Sequence, residues 1–126
     1  MIDHLDHLVL TVNDIDETRA FYVGGLGLQE QVFGEGRVAL VFGRQKFNLH
    51  EARGKPVLPR AQTPVPGSAD FCLIADRPLD DVMALLARRG IPVELGPVPR
   101  TGAAGPIRSV YLRDPDGNLV EISEYL

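Results

Sequence analysis

The side chains of this chain that could do chemistry sit on strand-like runs, and they share one side of those runs. In "RDPDGNLVEISEYL", residues 113–126, a turn signal leads into an alternating stretch. There Leu119, Glu121 and Ser123 share one face, while Val120 and Ile122 take the other. The same sorting gives apolar faces Leu8, Leu10 and Val12; Phe47 and Leu49; Phe71 and Leu73; Val120 and Ile122. The opposite faces read His7, Val9 and Thr11; Asn48 and His50; Asp70, Cys72 and Ile74; Ser109, Tyr111 and Arg113; Glu121 and Ser123. An open sheet with one wet face alternates in this way by itself. Imidazole and oxygen groups on several strands do more if the sheet curls. Converging from different strands, they make a site for a divalent metal.

The elements that must position these groups recur in order. "LDHLVLTV" reads as a strand, and Asn13 or Asp14 can cap the helix "DIDETRAFYVGGLG" that follows. Strand-like runs come next around 29–34, at 37–43 and at 45–52. A proline-rich segment, 56–67, has the composition of a linker. The order then restarts. "ADFCLIAD" is a strand, and "PLDDVMALLARRGI" is an amphipathic helix with Leu79, Val82, Met83 and Leu86 on one stripe, ended by Gly90. Short strands are expected near 92–95, at "SVYLR" and at "NLVEISEY", with "GPVPRTGAAGPI" as a loop. At a constant offset of 63 residues, Asp70 falls on His7, Leu73 on Leu10 and Gly90 on Gly27. The reading is an α+β chain of two βαβββ modules, about 1–55 and 68–126, forming one domain over 1–126. A single irregular α+β sheet is the plainer alternative.

Composition narrows the classes of function. A chain of 126 residues suits one domain. Its net charge of −4 argues against a general nucleic-acid binder, which needs a basic patch. One cysteine, Cys72, cannot form an internal disulfide and reads as a small buried hydrophobe. No run approaches the roughly 18 apolar residues of a membrane span, and the start lacks a signal-peptide pattern, so a cytoplasmic placement is expected. Phosphate-binding glycine loops, Cys-x-x-Cys and a Gly-x-Ser-x-Gly elbow are all absent from the sequence.

The element order, "FYVGGLGL" at the end of the first helix and "RDPDGNLVEI" near the terminus resemble the glyoxalase, bleomycin-resistance and extradiol-dioxygenase superfamily, also called the vicinal oxygen chelate superfamily. The segments "HLDHLVLTV", "NLHEA", "GSADFCLI" and "GPVPRTGAAGPI" are similar to a subgroup of small glyoxalase-like proteins, some labelled virulence proteins. The resemblance implies two βαβββ modules in a U-shaped half-barrel with a concave site. It also implies metal positions on the first and last strands of each module, here His7 and Glu121 at the two ends of the set. Asn48 stands where a glyoxalase I carries Glu, and Asp70 where many members carry His or Gln. His50, two residues beyond Asn48, is a ligand in its place or a base.

The expected metal set is therefore His7, His50, Asp70 and Glu121, with Glu121, His50 and Tyr111 as the catalytic side chains. Arg100, Arg108 and Arg113 are candidates to hold an anionic substrate, and His4 has the wrong parity for a ligand. The cofactor implied is a divalent ion, whether Zn, Ni, Mn, Fe(II) or Mg. The implied reaction is that of a lyase or isomerase acting on a small substrate with vicinal oxygens through a metal-stabilised enediolate. A non-catalytic drug-binding or resistance protein and an iron(II) extradiol-type dioxygenase are the alternatives. A homodimer is expected, because such modules leave sheet edges to be covered.

Overall fold

The computed structural model describes residues 1–126. The chain divides into two compact units, Met1–Ser68 and Ala69–Leu126. In the first, β1 (His7–Val12) leads through Asp14 into α1 (Ile15–Arg19). The Asp14 carboxylate accepts from the Glu17 N–H at 3.0 Å, satisfying a donor that the first helical turn leaves open. The helix then continues as a π-helical stretch over Ala20–Gly25. That stretch carries Tyr22, fully buried, into edge contact with Phe47, the ring centroids 5.9 Å apart. Then β2 (Gln29–Phe33), β3 (Arg37–Phe42) and β4 (Gln45–Glu51) follow. The sheet order is β1-β4-β3-β2. Two antiparallel returns bring β4 back parallel to β1, which puts Val9 beside Asn48 and Thr11 beside His50. Leu10, Val12, Leu40, Phe47 and Leu49 are buried on the other face, as alternation requires.

The second unit repeats the plan. It comprises β5 (Asp70–Ile74), α2 (Leu79–Arg88), β6 (Leu95–Gly102), β7 (Gly105–Arg113) and β8 (Leu119–Tyr125), in the order β5-β8-β7-β6. Both units are thus βαβββ with mixed four-stranded sheets, the α+β architecture expected from the repeat. Leu79 and Leu86 of α2 are buried, and Gly90 ends the helix with φ +69°. No side chain of α2's own N-cap, Pro78, closes the helix start. Glu124 of β8 does so instead, accepting from the Leu79 N–H at 2.8 Å. No helix of the chain is long and apolar enough to cross a membrane.

One expectation fails here. The short strand at 92–95 and the glycine- and proline-rich loop after it are replaced by the hairpin β6–β7. Pro97 and Pro99 do not prevent this, because β6 is an edge strand and a missing N–H on its open side breaks no ladder bond. The pairing slips between Leu95 and Val98. Gly96 makes that slip possible: its φ is +115°, and a Cβ there would stand 2.5 Å from the Ser109 carbonyl oxygen. Gly96→Ala should therefore destabilise the fold by about 2 kcal/mol. Urea titration should show a lower midpoint with the slope unchanged.

Candidate functional site

In the first unit, the face of β4 opposite the core presents two buried acceptor atoms. Asn48 Oδ1 and His50 Nε2 are both closed off from solvent without a hydrogen-bond partner. They lie two residues apart on one strand face, and buried polar atoms left in that condition are uncommon. Burial, with a smaller contribution from the Arg37 guanidinium, pushes the His50 imidazole below its usual range. The ring is thereby kept in the neutral form that a metal ligand or a base requires.

His7 lies at the start of the neighbouring strand, with its side chain 43% exposed. Its Nδ1 is 2.8 Å from Asp6 Oδ2, and that contact holds the Asp6 carboxyl below the usual carboxylate range. A carboxylate on Nδ1 leaves Nε2 with the free lone pair, the arrangement common to ligating histidines. His4 precedes β1 and pairs with Asp3.

In the second unit, strand register assembles one row, Cys72–Glu121–Tyr111, across β5, β8 and β7. The next row sets Ser123 beside Ser109. Both serines are fully buried, and both lie against Glu121 Oε2: Ser109 Oγ at 2.7 Å and Ser123 Oγ at 3.2 Å. The two hydroxyl oxygens are 2.6 Å apart, and Cys72 Sγ is 3.2 Å from Ser123 Oγ. Cys72 is exposed rather than buried, because β5 is the sheet's edge. Partial burial of the sulfur against the sheet, with a further contribution from the Glu121 charge, pushes its thiol up, away from the thiolate form of a nucleophile.

Tyr111 lies beside Glu121, and its phenol oxygen accepts from Arg100 Nε at 3.0 Å. The Arg100 guanidinium also lies over the Tyr111 ring, 5.5 Å from its centroid. Its Nη1 donates to the Pro99 carbonyl, so this arginine's hydrogen bonds go to a phenol and a carbonyl rather than to a carboxylate. The other two arginines are taken: Arg108 by Asp80 and Glu124, and Arg113 by Glu94. Asp70 is exposed one row from Glu121, in line with Leu119 and Arg113.

Register thus brings Glu121 and Tyr111 together in the second unit, and sets His7 one strand from Asn48 and His50 in the first. Within neither unit do three or more His, Cys, Asp or Glu side chains form a group that could hold a metal ion. Ser109 and Ser123 are contributors that the sequence alone does not single out. Parity already placed both serines on Glu121's face, but their contact depends on register between strands. Arg100 was assigned to a loop that is in fact β6.

Comparison with known proteins gives a consistent result. The model of the Glyoxalase/Bleomycin resistance protein/Dioxygenase superfamily matches residues 4–122. The chain is 51% identical to Virulence protein STM3117 of Salmonella typhimurium over 126 residues, covering 100% of this chain and 87% of that protein. The crystal structure of that protein superposes with a TM-score of 0.97, covering 100% of this chain and 99% of the other. An integron cassette protein from the mobile metagenome of V. cholerae is 52% identical with a TM-score of 0.96, over 100% and 98% of the two chains. Lactoylglutathione lyase from Agrobacterium tumefaciens is 30% identical with a TM-score of 0.74, over 98% and 95%.

Proposed function

Because this chain belongs to the Glyoxalase/Bleomycin resistance protein/Dioxygenase superfamily, we propose that it is a divalent-metal-dependent lyase or isomerase of the glyoxalase type, acting on a small substrate with two neighbouring oxygens. The observation that carries this reading is Glu121, whose two hydrogen bonds both fall on Oε2 while Oε1 takes part in neither. The 30% identical lyase from Agrobacterium tumefaciens adds support.

The donor chemistry suits a divalent ion of borderline softness. Each unit supplies donors of this kind: His7 Nε2 and His50 Nε2 in the first, and the carboxylate oxygens of Glu121 and Asp70 in the second. The buried, unpartnered His50 Nε2 and the Asp6 contact on His7 Nδ1 are what such a role requires. When bound, the ion supplies Lewis-acid stabilisation of negative charge on the two substrate oxygens.

The chain's own residues do the rest. Glu121 Oε1 takes the proton from the hydroxyl-bearing carbon next to the carbonyl: the C–H bond breaks, its electron pair enters the enediolate, and an O–H bond forms on the carboxyl group. Returning that proton to the adjacent carbon completes an isomerisation that needs no oxidant or reductant. The Tyr111 phenol, polarised by Arg100, donates toward the developing oxyanion. Arg100, with no carboxylate among its contacts, receives an anionic group of the substrate.

The test is a metal inventory of purified protein, followed by stripping, refilling and turnover of α-ketoaldehyde hemithioacetals. Chelator treatment should abolish turnover and refilling should restore it. His7→Ala should weaken metal binding by more than the roughly 10- to 100-fold that losing an outer partner costs. Wild-type protein that binds no divalent metal, or an unchanged affinity in His7→Ala, rejects this function. β1 is an edge strand with Leu8 and Val9 exposed, and a second copy covering it makes the homodimer part of the same proposal. Sedimentation of a monomer alone at micromolar concentration would remove the dimer.

A further inference from the structure

Four contacts in the second unit share three hydrogens, and counting them fixes a direction. The contacts are Ser109–Glu121 at 2.7 Å, Ser109–Ser123 at 2.6 Å, Ser123–Glu121 at 3.2 Å and Cys72–Ser123 at 3.2 Å. The hydrogens are one on each serine hydroxyl and one on the thiol. A carboxylate oxygen has none to give, so at 2.7 Å the Ser109 hydroxyl must donate to Glu121 Oε2. That spends the Ser109 hydrogen. The 2.6 Å contact between the serines then needs the hydrogen of Ser123, or two lone pairs would face each other. The Ser123 hydrogen is shared between Ser109 and, over the longer 3.2 Å, Glu121 Oε2, and the Cys72 thiol, which also neighbours Glu121, is left to donate to Ser123.

We propose that Cys72, Ser123 and Ser109 form a one-way chain of donors that holds Glu121 by Oε2 and commits Oε1 as its working oxygen. The proposal rests on the reading of Glu121 as the site carboxylate and adds the residues that position it. Each link polarises the next, so the bond arriving at Oε2 is stronger than a lone serine would make it. Both serines are fully buried, and water cannot replace either donor without the packing opening. The chain begins at the exposed edge strand, where Cys72 can act only while it keeps its hydrogen. Ser109, Ser123 and Cys72 are positioning residues: none touches a reacting atom.

The experiment uses full-length protein with its glutamate side-chain carboxyl carbons labelled with 13C. Two readouts are taken on wild type, Ser109→Ala, Ser109→Cys, Cys72→Ala and Cys72→Ser: the carboxyl resonance of Glu121, and the dissociation constant for Co2+ followed by its visible absorption. Ser109→Ala should move the resonance and weaken Co2+ binding about 10-fold, within the range for loss of an outer partner. Ser109→Cys, of similar size and still a donor, should recover part of both. Cys72→Ser should match wild type, while Cys72→Ala moves the resonance in the same direction as Ser109→Ala and by less. A Glu121 resonance unmoved by Ser109→Ala, or the same resonance in both Cys72 variants, overturns the proposal. If wild type binds no Co2+, the metal reading fails by itself and the carboxyl resonance still decides the donor chain.

Discussion

Glu121→Gln should lower kcat/KM toward hemithioacetals by about 1,000-fold or more while leaving thermal stability close to wild type. The amide has nearly the shape of the carboxylate, so packing does not change. Its orientation, however, is not free. The Ser109 hydroxyl points at the atom in the Oε2 position, 2.7 Å away, and needs an acceptor there. The glutamine oxygen must take that place, which turns the NH2 group to the position of Oε1. An amide nitrogen has no lone pair to offer, so the variant can neither ligate a cation nor accept a proton through that atom. Steady-state kinetics and a parallel melting curve check this. Activity within tenfold of wild type would remove Glu121 from the chemistry, and a large fall in melting temperature would mean that its role is structural.

The second large effect is on stability. Asp114→Ala should cost about 4 kcal/mol and lower the melting temperature by roughly 15 °C. Asp114 opens the turn "DPDGN", is 5% exposed, and organises three donors. Its Oδ1 accepts from the N–H groups of Asp116 and Asn118, both at 2.9 Å, and its Oδ2 from the Asn118 side-chain amide at 2.8 Å. Asn118 then passes the connection across the sheet: its Oδ1 accepts from the Ala69 N–H at 2.9 Å, where the chain enters β5. The Leu119 N–H donates back to the Ala69 carbonyl at 3.1 Å. Alanine at 114 would strand buried donors and loosen the register of β5 on β8. Asp114→Asn, which keeps one acceptor oxygen, should lose about half as much. Calorimetry of the three proteins gives the comparison. Equal melting temperatures would show that this turn carries no stability.

These two residues also show what can be read from a linear chain. The Asp-Pro-Asp-Gly turn and the alternation after it placed Glu121 opposite the core, because side-chain direction along a strand depends only on position parity. Helix periodicity and Gly90 placed α2, and repeated order gave the two βαβββ modules, since each pattern is set by neighbours a few residues apart. The family, too, was legible, in short segments spread along the chain.

Other features needed partners distant in sequence. Pro97 and Pro99 read as a loop, yet they lie on β6, because only the sheet order makes that strand an edge where a proline does no harm. Ser109, Ser123 and Cys72 were plain small residues until register set Cys72 beside Glu121 and Ser109 beside Ser123. Arg100 was one of three possible anion-binding arginines until Arg108 and Arg113 proved to be held by carboxylates. Local sequence determined which face each side chain takes, because that follows from the backbone's own geometry. Which atom of Glu121 is held and which is left open was decided only by tertiary structure, because hydrogen bonds between strands depend on register, and register is a property of the folded sheet.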